Sequence, residues 1–217
     1  MNLRILSVNV GRPRVVAYMH GEPVRSGIAK SVVSADSVFV GALNIRGDAQ
    51  ADLTVHGGSD KAVYAYPSDH WPWWECEHTL PCAPNTFGEN LTVEGADETQ
   101  IAIGDRFRWG ASVLEVSQPR GPCYKLGLHT RRADTPTIMA VSGKCGWYFR
   151  VIEEGDAPVP GASLERIFSS GGPLVREVFF AAFSPLPTKV QKMALAETPG
   201  LAPDWRKAIL RRLPASA

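Results

Sequence analysis

The sequence predicts a mainly β domain, a sandwich or a barrel, that gives way near its end to a helical segment. Three observations carry this. Short β-branched or alternating runs recur through the first two thirds, separated by Gly and Pro. After Ser169-Ser170-Gly171-Gly172-Pro173 the apolar residues recur at helical steps instead. Hydrophobic residues fill 44% of the 217 positions, enough for one sizeable core.

The first run, Leu3 to Val10, is apolar but short, lacks a basic lead and meets Gly11-Arg12-Pro13, so it reads as a strand and not as a signal peptide. Arg14 to Tyr18 follows, with a tight hairpin at His20-Gly21-Glu22-Pro23, then Ile28 to Val33 and Ala62 to Tyr66. A helix is predicted from Ser68 to about Leu80, because Ser68 can cap it and Pro72 falls in its first turn. Its Trp71, Trp73 and Trp74 read as packing on the sheet before they read as a stacking wall. Asn90 to Val93, Arg106 to Trp109 and Ser112 to Ser117 are further strands, the last two joined through Trp109-Gly110-Ala111. Gly143-Lys144-Cys145-Gly146-Trp147-Tyr148 opens an aromatic strand, with Trp147 expected in the core.

The composition shift divides the chain into a β domain over residues 1–168 and a helical segment over 173–217. One helix is expected from Thr188 to Glu197, broken by Pro199-Gly200. In the last one Leu201, Trp205, Ile209 and Leu213 recur at steps of four, opposite Arg206, Lys207, Arg211 and Arg212. Phe179, Phe180, Phe183 and Trp205 are expected to cover the barrel rather than form a dimer seam, leaving monomer and homodimer both open.

Lys and Arg number 23 against 22 Asp and Glu, and a formal charge of +1 supplies no global field for nucleic acid. An anionic ligand must therefore meet a local patch. No stretch approaches the roughly 20 apolar residues of a membrane span. Cys76, Cys82, Cys123 and Cys145 form no CxxC pair and no disulfide framework, which suits a reducing compartment, the cytoplasm by default.

Chemistry concentrates in Ser117-Gln118-Pro119-Arg120-Gly121-Pro122-Cys123-Tyr124-Lys125-Leu126, where a strand ends and two prolines stiffen a loop presenting one cysteine. Arg120 and Lys125 flank it, and positive charge favours a thiolate, the form of a nucleophile or a soft-metal ligand. Most unpaired cysteines are instead small buried hydrophobes. In Val55-His56-Gly57-Gly58-Ser59-Asp60-Lys61 the diglycine can turn successive N–H groups toward one point, with His56 and Lys61 adding charge-assisted bonds to a phosphate. An ordinary Gly-Gly turn explains the same residues. Phe87-Gly88-Glu89-Asn90-Leu91 is a glycine entry to a strand, with Glu89 and Asn90 at its mouth. A zinc site from His70, Cys76, His78 and Cys82 is disfavoured, since Cys76 and His78, two apart on a helix, face different ways.

The succession Gly47-Asp48, Gln50-Ala51-Asp52, His56-Gly57-Gly58, Asp60 to Pro67, Phe87 to Leu91, Gly104-Asp105, Gln118-Pro119-Arg120 and Pro122-Cys123 resembles the MOSC domain family, and within it the YiiM-type proteins. The similarity runs from residue 1 to about 165, and the tail is similar to the three-helix segment of those proteins. The resemblance implies a β-barrel of mixed strand orientation whose pocket takes the molybdenum cofactor (molybdopterin). Cys123 matches the family's metal ligand, in keeping with the affinity of soft thiolates for such metals. His56, Gly57, Gly58, Lys61, Asn90, Arg120 and Lys125 would surround the phosphate and pterin. The implied activity is that of a molybdenum-dependent oxidoreductase that removes the oxygen from N-hydroxylated small molecules such as 6-hydroxylaminopurine. Electrons would come from a separate donor protein, because the chain carries no flavin, haem or iron-sulfur motif. His56 and Asp60 are candidates for the proton donor.

Two other readings compete. A carrier or sulfur-transfer module keeps the fold and Cys123 without turnover. A metal-free thiol enzyme would use Cys123 as nucleophile with His129 or His56 as base, although no nucleophile elbow surrounds the cysteine.

Overall fold

A computed structural model describes residues 1–50, 57–159 and 161–213. Strands β1 (Asn2–Val10), β2 (Arg14–Met19), β3 (Glu22–Ser26), β4 (Ser31–Val32), β5 (Ser37–Gly41), β6 (Asn44–Ile45) and β7 (Val63–Pro67) lead into helix α1 (Trp71–His78). Then come β8 (Leu91–Glu94), β9 (Arg106–Trp109), β10 (Ser112–Pro119), α2 (Tyr124–Thr130), α3 (Thr135–Ser142), β11 (Trp147–Glu153), β12 (Gly155–Pro158) and β13 (Ser163–Phe168). Helices α4 (Val175–Phe183), α5 (Lys189–Ala196) and α6 (Pro203–Leu210) complete the described chain.

Seven strands hydrogen-bond in the order β13-β9-β10-β11-β7-β8-β1, and β1 pairs back onto β13 to close a barrel. All its pairings are antiparallel except β7 with β8, so the expected mixed barrel is present. Closure removes the free edges that an open sheet would expose. β4 lies beside β1, while β12-β5-β6 and the β2–β3 hairpin form small separate sheets. No helix of the described residues is long and apolar enough to cross a membrane.

Phe107 and Trp109 of β9 and Trp147 and Phe149 of β11, the two strands flanking β10, fill the barrel and are fully buried. The β9–β10 turn needs a glycine: Gly110 sits at φ +60, and a Cβ there would lie 2.6 Å from the Asp156 carbonyl oxygen. α1 packs as its tryptophans suggest, with Trp74 buried and its Nε1 donating to the Tyr66 hydroxyl at 2.6 Å.

The tail covers the barrel. Val175, Val178, Phe179 and Ala182 make the buried stripe of α4, and Trp205 and Ile209 that of α6. Phe183 stays 40% exposed. The linker is fastened as well as turned, since Asp105 Oδ1 accepts the Ser170 N–H and Ser170 Oγ donates to the Ile103 carbonyl. Thr188 caps α5 through the Gln191 N–H, and the Ala202 N–H donates to the Ser117 carbonyl of β10.

Several local expectations are corrected. Ser68 does not cap α1: residues Ser68–His70 form a 3-10 turn, and Ser68 Oγ donates to the Val93 carbonyl. Of Ile28 to Val33 only Ser31–Val32 is strand, because Ile28 lies against the Gly88 backbone instead of beside a partner. α2 and α3 were not expected, nor were β5, β6, β12 and β13. α2 carries Gly127, and β12, Gly-Asp-Ala-Pro, has no strong β former, so each is held by its neighbours rather than by propensity.

Glu89 braces the turn that enters β8. Its two carboxylate oxygens accept the Asn85 N–H at 2.7 Å, the Phe87 N–H at 3.0 Å and the Thr92 hydroxyl at 2.8 Å. Burial nevertheless raises its pKa, these hydrogen bonds offsetting only part of the desolvation. A raised folded pKa stabilises below the unfolded value near 4.3 and is lost as pH rises through the folded one. Glu89→Gln sets an amide donor against a backbone donor and is expected to cost about 1–3 kcal/mol. In chemical denaturation the deficit should be larger at about pH 5 than at about pH 8; a gap that widens with pH refutes this account.

Candidate functional site

β10 ends at Pro119, and the Arg120-Gly121-Pro122-Cys123 loop leads directly into α2. An open cleft of about 750 Å³, counting the solvent at its mouth, gathers this loop with three other segments. They are the residues after β3, the Asp48–Gln50 stretch, and the Phe87–Gly88 turn. Tyr64 and Tyr148, cross-strand partners on β7 and β11 with ring centroids 5.1 Å apart, form an aromatic wall.

Of the residues singled out in sequence, Cys123, Lys61, Asn90, Arg120 and Lys125 line this one cleft. Gly57 and Gly58 do not line it, and the Gly58 N–H is donated to Gln50 Oε1 at 3.0 Å, so it is not aimed at a ligand. His56 lies outside the described residues. Asp60 is bound to Arg150 at 2.7 Å and is likewise not part of the lining.

Sequence reasoning missed Lys30 and left Asp48 and Gln50 without a role. Asp48 Oδ1 accepts the Gly11 N–H at 2.8 Å and Lys30 Nζ at 2.6 Å, while Oδ2 accepts Asn90 Nδ2 at 2.9 Å. Asn90 completes the joint, donating to the Asn9 carbonyl and accepting the Tyr64 N–H. Lys30 had no signal, since nothing adjacent to it in sequence marks it as different from any surface lysine. Gly88 had one: at φ +80, a Cβ would lie 2.4 Å from Ile28 Cγ1, a close approach that only glycine allows.

Arg120 differs from the other cations. It is 6% exposed, its Nη1 donates to the Met139 sulfur at 3.2 Å, its side chain also hydrogen-bonds to Tyr148, and its Cζ lies 5.7 Å from the Tyr64 ring centre. Lys30 is paired with Asp48 and Lys61 with Asp204, yet among the described residues no carboxylate pairs with Arg120. Burying an unpaired guanidinium is costly unless an anion meets it. Burial raises the phenol pKa of Tyr64 well above its usual value and raises that of Tyr148, with Arg120 pulling both back, so each stays a neutral hydroxyl.

Cys123 is half-buried and is the one cysteine in the cleft lining. Cys145 is buried with its thiol pushed well up, and burial carries Cys82 to about 12, so neither is readily a thiolate. Cys123 precedes α2 and His129 lies in its last turn, roughly 9 Å apart along the axis at the helical rise. His129 is also engaged with the Asn85 carbonyl at 2.9 Å, so it is not placed as a base for the thiol. The zinc candidates separate too: Cys76 is exposed, His78 packs on Trp73, and His70 is buried against Glu98 at 2.7 Å.

The fold is a mixed, closed barrel that sets one thiol among four cationic side chains in an open cleft. This chain belongs to the MOSC domain family, whose model matches residues 52–162. It is 36% identical to the protein YiiM of Escherichia coli over 209 residues, covering 94% of this chain and 91% of that one. The crystal structure of YiiM from Geobacillus stearothermophilus is similar with a TM-score of 0.80 at 32% identity, covering 98% of this chain and 100% of that one. A protein named Reductase from Gibberella moniliformis is 36% identical over 160 residues, which are 70% of this chain but 27% of that protein.

The Asp48–Lys30 pair, with side chains 5% and 8% exposed, predicts a steep dependence of stability on Asp48. Asp48→Ala leaves Lys30 and the Asn90 amide without their partner and is expected to cost about 3–5 kcal/mol. Thermal unfolding measures this, and a cost near zero would show that the pair is not what fixes the cleft floor.

Proposed function

We propose that this protein is a molybdenum-cofactor-dependent reductase of N-hydroxylated small molecules, with the Cys123 thiolate as a ligand of the metal. The observation that supports it most is Arg120, a buried cation in the cleft with no carboxylate partner among the described residues, a few positions from an accessible thiol. That donor set fits the cofactor: the soft sulfur suits molybdenum, and a planar guanidinium suits a phosphate. The family is one associated with the molybdenum cofactor, which agrees.

Arg120 and Lys125 would hold the anionic end, with Lys30 and Lys61 adding field, while Asn90 keeps the floor rigid through its three hydrogen bonds. Tyr64 and Tyr148 would give one wall an aromatic surface, the Tyr64 hydroxyl itself being donated to the Cys145 carbonyl at 2.8 Å. When bound, the cofactor supplies oxygen-atom acceptance and two-electron redox chemistry. The overall conversion is R–NHOH with two electrons and two protons to R–NH2 and water, so the N–O bond breaks and nitrogen is reduced. The electrons come from a separate donor protein. A relative named Reductase that carries a matching stretch inside a much longer chain is consistent with such a supply.

The test is elemental and pterin analysis of protein made in a molybdenum-cofactor-producing host under anaerobic conditions, followed by reduction of an N-hydroxylated base with reduced methyl viologen. Wild type should hold about one molybdenum per chain, and Cys123→Ser should lose the metal and about 100-fold or more of the activity without losing its fold. Arg120→Met should lower cofactor retention more than it lowers stability. Metal binding without turnover would indicate a carrier, and full activity in Cys123→Ser would sink the proposal.

A further inference from the structure

The surface beside the cleft has a charge that the rest of the chain does not share. Residues 12–25, which make the β2–β3 hairpin and its approach, carry Arg12, Arg14 and Arg25 against the single carboxylate of Glu22. Residues 120–131, the cysteine loop and α2, carry Arg120, Lys125 and Arg131 and no carboxylate at all. With a net charge of only +1 overall, the remainder of the molecule is therefore acidic. None of the ion pairs among the described residues uses Arg12, Arg14, Arg25, Lys125 or Arg131, whereas the arginines of β9 and β11 at positions 106 and 150 are paired.

The two segments form one face. Lys125 Nζ donates to the Arg25 carbonyl at 3.2 Å, and the field of Arg14 reaches His129 in the last turn of α2. The same two segments expose large apolar groups: Tyr18 at 72%, Tyr124 at 53%, Met19 at 42% and Val15 at 39%. Tyr124 directly follows Cys123, so the face is continuous with the mouth of the cleft. Exposed aromatic and methionine side chains ringed by unpaired arginines have the composition of a protein-docking surface.

We propose that the β2–β3 hairpin and α2 form the docking site for an acidic electron-carrier protein that reduces the group held at Cys123. The choice of occupant follows from charge complementarity and from position. A surface rich in unpaired arginine steers an acidic partner, and this one borders the opening through which electrons must come. A nucleic acid would meet the same cations, but its binding would not call for a place at the opening of the cleft. The identity of the cargo rests on the reductase reading, whereas the surface and its charge do not.

The probe is a purified acidic flavodoxin, titrated against cofactor-loaded protein at ionic strengths of about 20 and about 200 mM. Wild type should bind it at the lower salt and about tenfold more weakly at the higher. The triple variant R12E/R14E/R25E should weaken low-salt binding about tenfold or more, and Tyr18→Ser should weaken it less while keeping its salt dependence. Turnover driven by reduced methyl viologen, which needs no docking, should match wild type in both, because none of these side chains lines the cleft. Absence of low-salt binding, or equal binding by the triple variant, overturns the proposal. So does a finding that the triple variant instead abolishes self-association or the binding of single-stranded DNA. If the hairpin-dependent binding holds while viologen turnover is absent from wild type, the reductase reading has failed and the docking surface stands.

Discussion

The architecture of the cleft depends on one carboxylate. Asp48 lies 5% exposed and accepts from a backbone N–H of the segment after β1, from the lysine before β4, and from the amide of Asn90 at the start of β8. Each of those groups belongs to a different turn, and the turns of Lys30 and Asn90 contribute lining. Asn90 passes the constraint on to the one parallel joint of the barrel. Its backbone N–H donates to Tyr64, its side chain accepts from Tyr64 and its carbonyl accepts from Asn9. A parallel pair of short strands cannot be closed by a hairpin, so its register has to come from side chains such as these.

The same node explains why the cleft can remain cationic. Four cationic side chains converge there in a chain of nearly zero net charge, and like charges in a partly buried space repel. Asp48 neutralises Lys30 from below, and Asp204 neutralises Lys61 from the rim. Arg120 and Lys125 have no carboxylate partner among the described residues, and the aromatic and sulfur neighbours of Arg120 only soften its desolvation. The uncompensated positive charge of the cleft is therefore concentrated at the cysteine loop and the start of α2.

The legible parts of this molecule were those carried by local chemistry. The apolar run of β1, the Gly110 hairpin, the tryptophans of α1 and the stripe of α6 each state their own structure, because spacing and turn residues act over a few positions. The prolines around Cys123 made the reactive loop visible, and Asn90 was marked by its glycine entry. Lys30 and the paired state of Asp48 were not legible, since their meaning lies in a contact between turns eighteen residues apart that no local pattern encodes. Gly58 shows the opposite failure: a diglycine has the form of an anion nest, but its N–H was taken by Gln50, a partner that only the folded chain supplies. α2 was invisible for a third reason, being seven residues long with a glycine inside, too short for periodicity to register.

The helical tail is more than a cover. α6 reaches the rim of the cleft, where Asp204 holds Lys61 at 3.0 Å, and its first turn is fixed to the end of β10 through the Ala202 to Ser117 hydrogen bond. Ser117 in turn donates its hydroxyl to the Asp60 carbonyl, one residue before Lys61. The tail therefore sets both the position and the charge balance of a cleft lysine while burying Phe179 and Trp205 on the barrel. An exposed carboxylate on a surface helix would ordinarily contribute little. Here it acts on a lysine whose side chain is only 12% exposed, so the tail contributes to the charge balance of the cleft as well as to the core.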